Sequence, residues 1–220
     1  MMSNDRLKTY LYSIDGGIDD NLLAIEEESI KNFVPVIRKD MQAFLRFLMQ
    51  TKKPLKILEV GAATGFSACL MATYAPKECV ITTIENWEPR IPIAKENFLK
   101  CGFSDKITLL EGDASDILVS LLDEGKEYDF IFMDAAKGQY PAWLPTIEKL
   151  LRDGGMLVTD NVLFDGDIVE SRFAVKRRNR TIHKRMREYL YTLMHHESFV
   201  STILDVGDGA CVSVKQSYQI

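Results

Sequence analysis

The sequence predicts an α/β fold with an open, mostly parallel seven-stranded sheet that ends in an antiparallel hairpin. Short apolar runs follow one another from residue 55 onward, and they are LKILEV (55–60), CVITTI (79–84), KITLLE (106–111), YDFIFM (128–133) and GMLVTD (155–160). Near-continuous apolar runs are typical of parallel strands that are covered on both faces. These five runs therefore predict the parallel part of the sheet.

Helix-like segments separate the runs, near residues 65–75, 88–101, 114–124 and 138–152. Each is long enough for a right-handed crossover between parallel strands. In such a sheet, ligands bind in the crevice at the carboxyl ends of the strands. The residues that follow each apolar run are therefore the candidates for function.

The two ends of the chain differ from this alternating centre. The first 50 residues have a helical pattern, with an amphipathic stretch at 36–50. A basic helical segment (about 176–196) precedes FVSTIL (199–204) and ACVSVK (210–215), which a glycine-containing turn joins into a hairpin. We expect one domain over 1–220, with a helical extension at 1–52 and a catalytic core at 53–220.

Composition excludes several classes of protein. No run approaches the ~20 apolar residues of a membrane span, and the polar N-terminus lacks the apolar segment of a signal peptide, which favours the cytoplasm.

The four cysteines are scattered, so we expect reduced, mostly buried thiols. The three histidines (His183, His195 and His196) show no metal-ligand spacing with the acids, so we expect them at the surface or an interface.

The stretch KRRNRTIHKRMR (176–187) carries seven cations and no acid, in a chain whose net charge is −5. A charge run in isolation usually marks a solvated helix face, or a segment that pairs with acids such as those at 26–28. It is also the type of segment that binds nucleic-acid phosphates. The run alone does not decide between these interpretations.

The first strand ends in ILEVGAATGFSA (57–68), where Gly61 and Gly65 flank a tight strand-to-helix turn. Small residues at such a turn let a ligand approach the backbone. Position 63 is Ala, so the dinucleotide fingerprint Gly-x-Gly-x-x-Gly is absent. The pattern acid-x-Gly-x-x-x-Gly is typical of S-adenosylmethionine enzymes, in which Glu59 would orient the turn or approach the methionine amino group. An ordinary glycine-rich turn is the alternative.

Acids also follow the second and third strands. Glu85 lies 24 residues after Gly61, where a carboxylate can accept hydrogen bonds from adenosine ribose hydroxyls. Asp113 would lie near the adenine, or it caps the helix that begins at Ala114 or Ser115. A solvated acid at a strand end is the alternative for Glu85.

Oxygen-bearing side chains end the fourth and fifth strands. Asp134 follows YDFIFM, and Asp160 with Asn161 follows GMLVT. Two carboxylates and an amide oxygen in one crevice suit Mg²⁺ or a similar divalent cation, although each residue could instead cap a helix or turn. Lys137, three residues beyond Asp134, is suited to act as a general base beside such a cation, or it is a surface lysine.

Together these motifs resemble the magnesium-dependent O-methyltransferases, the group of catechol and caffeoyl-coenzyme A O-methyltransferases. The resemblance covers roughly residues 30–216 and rests on LEVGAATGFSA, TIE, DAAK and TDNVLFDG (159–166). It implies a Rossmann-like fold, S-adenosylmethionine and Mg²⁺ as cofactors, and a homodimer. The residues it implies are Lys137 for catalysis; Asp134, Asp160 and Asn161 for the metal; and Glu59, Gly61, Gly65, Ser67, Glu85, Asp113, Ala114 and Asp134 for S-adenosylmethionine.

Within the group, DAAKGQY, DNVLFDG, the basic run and the closing VGDG look most similar to the bacterial branch that methylates 5-hydroxyuridine at the tRNA wobble position. That branch implies a tRNA anticodon loop as partner, bound through Lys176, Arg177, Arg178, Arg180 and Lys184. Both 5-hydroxyuracil and catechol carry two neighbouring oxygens, so a small hydroxyl substrate is the alternative. The hairpin STILDVGDG shows no clear counterpart of the acceptor-side carboxylate of catechol enzymes, which argues against a catechol.

Two other function classes fit less of the sequence. A nicotinamide-dependent oxidoreductase would share the sheet and the acid after the second strand, but the middle glycine is missing. A non-catalytic RNA-binding module would explain the basic run but not the aligned acids. Tyr140 and Trp143 either line the substrate pocket or form the core face of the helix at 138–152, and we expect the core.

Overall fold

The computed structural model describes residues 4–171 and 173–217. Its seven strands form one sheet in the order β3-β2-β1-β4-β5-β7-β6. The strands are β1 (Lys56–Val60), β2 (Val80–Glu85), β3 (Ile107–Glu111), β4 (Tyr128–Met133), β5 (Leu151–Thr159), β6 (Phe199–Leu204) and β7 (Ala210–Lys215). β1 to β5 are parallel, whereas β7 runs antiparallel to both β5 and β6. The predicted mixed sheet and closing hairpin are confirmed.

Eight α-helices surround the sheet in the described part of the chain. They are α1 (Asn4–Ser13), α2 (Asp20–Lys31), α3 (Lys39–Lys52), α4 (Phe66–Tyr74), α5 (Ile91–Lys100), α6 (Ala114–Asp123), α7 (Tyr140–Leu150) and α8 (Arg180–Met194). None of these helices is long and apolar enough to cross a membrane. The helical N-terminal region and the basic C-terminal helix correspond to predicted elements.

The strands carry core residues on both faces of the sheet. Ile57 of β1 and Phe130 of β4 belong to a core cluster with α2, α3, α4 and α5. Their neighbours Leu58 and Ile131 point the other way, into a cluster with α6, α7 and α8. Because successive side chains in a strand alternate between faces, the apolar runs are explained by burial on both sides.

The largest difference from the predicted boundaries lies between α7 and β5. α7 ends at Leu150, and β5 begins at Leu151 rather than at Gly155. The pairing of β4 with β5 shifts register between Tyr128 and Phe130, and Gly154 adopts a φ of +70°. A glycine-permitted bulge therefore interrupts the strand, and the sequence RDGG looks like a turn although it lies within β5.

Buried polar groups in the described chain include one histidine. His183 on α8 is buried, and neither of its ring nitrogens has a hydrogen-bond partner. The prediction of a surface or interface position for His183 is therefore wrong, because the residue lies on the face of α8 that packs on the sheet. The cysteine prediction is confirmed, since all four are free and only Cys101 is partly exposed.

The strand order reverses at β1, which pairs with β2 on one side and with β4 on the other. At such a switch point, the crossover connections leave the sheet in opposite directions, and a crevice opens at the carboxyl ends of the strands. The segments that follow β1, β2, β4 and β5 all border this crevice, and they contain most of the predicted site residues.

Candidate active site

The turn after β1 packs directly on the end of β4. The backbone N–H groups of Gly61 and Ala62 both donate to the carbonyl of Ile84, each at 3.0 Å. Gly61 has a φ of +103°, and a Cβ atom there would lie 2.2 Å from the backbone oxygen of Asp134. No other residue fits this position without moving the backbone. The glycine turn and the first predicted metal ligand are therefore in contact.

A first cavity of about 570 Å³ lies at the carboxyl ends of β1 to β4. Five of the eight residues predicted to bind the cofactor line it, and they are Gly61, Glu85, Asp113, Ala114 and Asp134. Trp87, Arg90 and Gln139 also line this cavity. The sequence analysis did not select these three residues, although Trp87 and Arg90 follow Glu85 closely.

Glu85 is held in a fixed orientation by backbone donors. Its Oε2 accepts from the N–H of Ala63 at 2.7 Å, and its Oε1 accepts from those of Asn86 and Trp87 at 3.0 and 2.8 Å. A carboxylate can accept about four hydrogen bonds, so capacity remains for about one ligand donor. Glu85 thus both positions the glycine turn and presents an acceptor to the cavity.

Asp113 caps α6 and also lies at the first cavity. Its Oδ1 accepts from the N–H of Ser115 at 2.7 Å, which caps α6 and lowers the pKa of the carboxyl group. Asp113 also lines the first cavity. Nearby, Trp143 donates its indole N–H to Ser115 Oγ at 3.0 Å and contributes to the cavity wall, whereas Tyr140 is fully buried in the core.

Glu59 and Gly65 support the turn from behind and line neither cavity. Glu59 is completely buried, and the hydroxyl groups of Ser67 and Thr83 donate to its carboxylate. Burial raises the pKa of Glu59 to about 7, against the opposing effect of these two hydrogen bonds. Of the two predicted roles for Glu59, the structure matches orientation of the turn.

A second cavity, of about 470 Å³, adjoins the first and shares Gly61, Ala63, Arg90 and Asp134 with it. Lys137 and Asn161 line this cavity, and Ser67 lies at its edge. Lys137 Nζ is 3.1 Å from Asn161 Oδ1 and 3.7 Å from Asp134 Oδ1. The carboxylate and the lysine that follow β4 and the amide that follows β5 are thus brought together.

Asp160 lies just behind this group and is almost fully buried. Its Oδ1 accepts from the backbone N–H of Asn161 at 2.7 Å, and Asn161 adopts a φ of +58°. Burial, and next the charge of Asp134, raise the pKa of Asp160 to about 7. A cation bound here would favour the charged form of Asp160 and lower its pKa again. The donor set of two carboxylates and one amide oxygen suits a hard divalent ion.

This oxygen set includes an amide and only two carboxylates. Among the residues that the structure describes, no three His, Cys, Asp or Glu side chains form a metal-binding group. The magnesium prediction therefore depends on Asp134, Asp160 and Asn161 acting together with ligands from outside the chain.

The wall opposite the lysine contains residues that the sequence analysis missed. Arg38, which precedes α3, donates to Asp165 Oδ1 at 2.6 Å and to the carbonyl of Gly207 at 3.3 Å. Asp208 accepts from the N–H of Asp165 at 2.6 Å. Arg38, Asp165 and Asp208 all line the second cavity. The hairpin that looked free of a carboxylate at the site does bring one to this cavity, because the tight turn after β6 carries Asp208.

The family of this chain follows from comparison with known proteins. The family model described as O-methyltransferase matches residues 20–216. A catechol O-methyltransferase from Niastella koreensis is 32% identical over 164 residues, which cover 73% of this chain and 74% of the relative. A caffeoyl-CoA O-methyltransferase from Populus kitakamiensis is 30% identical over 177 residues, covering 76% and 74%. The chain belongs to the O-methyltransferase family.

Solved structures resemble the O-methyltransferase over almost its whole length. A Staphylococcus aureus protein assigned to the caffeoyl-CoA O-methyltransferases has a TM-score of 0.87 at 28% identity, covering 94% of this chain and 98% of its own. A Podospora anserina methyltransferase, solved with SAH bound, has a TM-score of 0.86 at 26% identity, covering 97% and 95%. The predictions of a methyltransferase fold and of an S-adenosylmethionine-dependent O-methyltransferase are confirmed.

The basic run of the O-methyltransferase borders the site, but part of its charge is used internally. Arg180 donates to the carbonyls of Val175 and Phe173, each at 3.1 Å, and Lys184 pairs with Glu188 at 3.4 Å. Arg185 donates to the carbonyl of Gly138, next to Lys137, at 3.0 Å.

The start of the basic run differs from the rest. The exposed residues 176–178 form no ion pair with any described residue. The acids at 26–28 do not pair with the run either, since Glu26 contacts Lys39 and Glu28 contacts Lys100. Of the five predicted RNA contacts, only Lys184 forms an ion pair within the described chain, and Arg180 keeps its charge but uses donors on backbone carbonyls. Lys176, Arg177 and Arg178 have both their charge and their side-chain donors available to a partner.

We expect Gly61→Ala to lower S-adenosylmethionine affinity at least tenfold, because the added Cβ would collide with the backbone of Asp134 and must displace one wall of the first cavity. Isothermal titration calorimetry measures the affinity, and thermal denaturation verifies that the variant is folded. Gly16→Ala is the matched control, since its Cβ would meet no atom within 4 Å. Equal affinities for the two variants would contradict the prediction.

We expect the stability of the enzyme without cofactor to fall as pH rises from about 4.5 to about 7, in part because of Glu59. A carboxyl whose folded pKa lies above its unfolded value stabilises the fold fully below the unfolded pKa, and this contribution disappears as pH passes the folded pKa. In Glu59→Gln, we expect the decline to be smaller by about 1–3 kcal/mol. Urea denaturation at pH 5 and pH 7.5 measures it, and parallel declines in both proteins would refute the assignment.

Proposed function

We propose that this O-methyltransferase transfers the methyl group of S-adenosylmethionine to the 5-hydroxyl of 5-hydroxyuridine at the tRNA wobble position, forming 5-methoxyuridine. The observation that carries the proposal is the grouping of Lys137, Asn161 and Asp134 beside the glycine turn. A proton acceptor and oxygen ligands thus lie next to the cofactor turn, where a hydroxyl acceptor must bind.

In the proposed complex, the adenosine of the cofactor occupies the first cavity. Glu85 accepts a hydrogen bond from a ribose hydroxyl, and Asp113 and Ala114 border the adenine. The methionine end of the cofactor extends along Gly61 toward Ser67 and Asp134, which line the second cavity. The sulfonium methyl group then faces the acceptor, since Asp134 lies at the boundary between the two cavities.

The proposed metal ligands are Asp134, Asp160 and Asn161, and their oxygen donors fit Mg²⁺ or a similar divalent cation. When bound there, the cation would lower the pKa of an acceptor hydroxyl and fix its orientation. Lys137 lies within hydrogen-bonding distance of this group and would take the proton of the hydroxyl. Arg185 donates a hydrogen bond to the backbone carbonyl of Gly138, and this bond holds the loop that carries Lys137 against α8.

The choice of acceptor depends on charge around the second cavity. 5-Hydroxyuracil carries its 5-hydroxyl beside the 4-carbonyl, so it offers the same neighbouring oxygens as a catechol. Three exposed cations, Lys176, Arg177 and Arg178, lie just before α8, and they could bind RNA phosphates. α8 itself contacts the loop that carries Lys137. A single-stranded anticodon loop also permits a base to be turned outward into a cavity.

A small hydroxyl acceptor is the second candidate, and one observation favours it. Asp208 lies in the second cavity, where its carboxylate could hydrogen bond to a phenolic hydroxyl. The names of the catechol and caffeoyl-CoA relatives agree with such an acceptor. We retain tRNA as the first candidate because a small neutral acceptor gives no role to the unpaired cations at 176–178.

We expect Lys137→Met to reduce kcat by about 10²–10⁴, the usual range for loss of a general base. Substrate and cofactor binding should change much less. Steady-state methyl transfer from labelled S-adenosylmethionine measures kcat and KM, and Lys149→Met removes an exposed lysine at the other end of α7 as a control. A kcat of Lys137→Met within tenfold of wild type would exclude the proposed role.

The proposed reaction is tested on RNA directly. Purified enzyme should methylate an anticodon stem-loop that carries 5-hydroxyuridine, lose activity in EDTA and regain it with added Mg²⁺. Nucleoside mass spectrometry of tRNA from a deletion strain should show loss of 5-methoxyuridine and gain of 5-hydroxyuridine. Efficient methylation of catechol without methylation of this RNA would favour the small-molecule candidate, and unchanged activity after complete metal removal would reject the metal proposal.

We further propose a homodimer formed through the N-terminal helices. Large apolar side chains are exposed there, including Tyr10 and Leu11 on α1, Phe47 on α3 and Phe33, which is 94% exposed. Light scattering of the purified enzyme measures the mass of the particle. Cytoplasmic location and the division into a helical extension (1–52) and a catalytic core (53–220) remain predictions from the sequence.

A further inference from the structure

Two arginines line the second cavity, and neither has a role in the methyl transfer described above. Arg38 precedes α3, and Arg90 precedes α5. Arg90 also lines the first cavity, so it lies at the boundary between the cofactor and the acceptor. Both guanidinium groups therefore border the space in which an acceptor would bind.

Arg90 is half-buried and carries its charge without a protein partner. Within residues 4–171 and 173–217, no carboxylate lies within ion-pair distance of it, and its guanidinium donates no hydrogen bond. None of its nitrogen atoms is buried away from water, so its five donors are open to an incoming ligand, and an anion could accept several of them at once. Arg90 thus has the properties of a ligand-binding residue.

Arg38 has a partner that an incoming anion can replace. Its Nη2 donates to Asp165 Oδ1, and the side chains of Arg38 and Asp165 are 46% and 79% exposed. Ion pairs this exposed contribute only about 0–1 kcal/mol. The hydrogen bond from Arg38 to the carbonyl of Gly207 does not depend on Asp165, so it can keep the guanidinium at the cavity when the carboxylate leaves.

We propose that Arg38 and Arg90 together bind an anionic group of the methyl acceptor, and that this group is a phosphodiester next to the methylated nucleotide. The identity of the anion rests on the proposed RNA substrate, whereas the preference for a negative charge is inferred from the two arginines, which share the cavity with Asp134, Asp165 and Asp208. Arg38 and Arg90 then determine specificity, because a neutral acceptor of the same shape leaves both without a partner.

A purely structural role for Arg38 would give a different pattern of effects when Arg38 and Asp165 are replaced one at a time. The Arg38–Asp165 pair also fastens the segment 164–166, in which Phe164, Asp165 and Gly166 all have positive φ values. If fastening were the only role, removal of either partner would have the same effect. If Arg38 binds the acceptor, removal of the Asp165 charge frees Arg38 and does not raise KM, whereas removal of Arg38 does.

The experiment compares Arg38→Gln, Arg90→Gln and Asp165→Asn, with Lys149→Gln as the charge-removal control. The substrate is an anticodon stem-loop carrying 5-hydroxyuridine, with saturating S-adenosylmethionine and Mg²⁺ at several KCl concentrations. We expect both arginine variants to raise KM for the RNA about tenfold or more, with the main effect in KM rather than kcat. The salt dependence of log KM should fall by about 0.7 per lost phosphate contact.

The aspartate variant and the control complete the expected pattern. Asp165→Asn should lower KM for the RNA or leave it unchanged, and Lys149→Gln should match wild type. An equal rise of KM in Arg38→Gln and Asp165→Asn would overturn the proposal in favour of a structural pair. Unchanged KM and salt dependence in both arginine variants would overturn it as well, while methylation of the RNA by wild type would leave the proposed function standing.

Small acceptors separate failure of this inference from failure of the proposed function. Catechol is neutral, whereas 3,4-dihydroxybenzoate adds a carboxylate to the same pair of hydroxyls. If wild type methylates these compounds but not the RNA, the proposed RNA substrate is wrong. The anion-binding role is then supported if wild type prefers 3,4-dihydroxybenzoate over catechol and Arg38→Gln and Arg90→Gln lose this preference. The role is rejected if wild type has no such preference, or if both variants retain the preference.

Discussion

The close contact between Gly61 and the backbone of Asp134 is the constraint on which the rest of the site depends. The two strands that end at these residues are neighbours at the switch point of the sheet. Because no side chain separates them, the turn that borders the first cavity and the carboxylate that borders the second share one wall. A cofactor and an acceptor bound in these cavities are therefore adjacent, as methyl transfer by direct displacement requires.

Buried acids behind this wall fix its geometry without lining it. Glu59 orients the turn through Ser67, and Asp160 holds the strained backbone of Asn161 by a hydrogen bond to the adjacent N–H group. Both carboxyl groups have a raised pKa because they are removed from water. The groups that hold this wall in place are thus positioned by the sheet and the segments that directly follow its strands.

The sequence was sufficient for the sheet and for the residues that follow its strands. Continuous apolar runs predict buried parallel strands, and a parallel sheet brings their carboxyl ends together, so the amino-acid pattern alone could group Asp134, Lys137 and Asn161. It could not group Arg38 with Asp165, because these residues meet only through tertiary packing. Likewise, the internal partners of the cations on α8 depend on how that helix packs, which the charge pattern does not reveal.

The residues that line the two cavities come from different parts of the chain. Residues from 60 to 143 form the whole lining of the first, whereas the second adds a segment at 35–38, another at 161–165 and Asp208. The second cavity can therefore change shape and charge through these separate segments while the lining of the first cavity stays as it is. Such a division would let members of one family differ in acceptor and keep a common methyl donor, in line with the different acceptors named for the catechol and caffeoyl-CoA relatives.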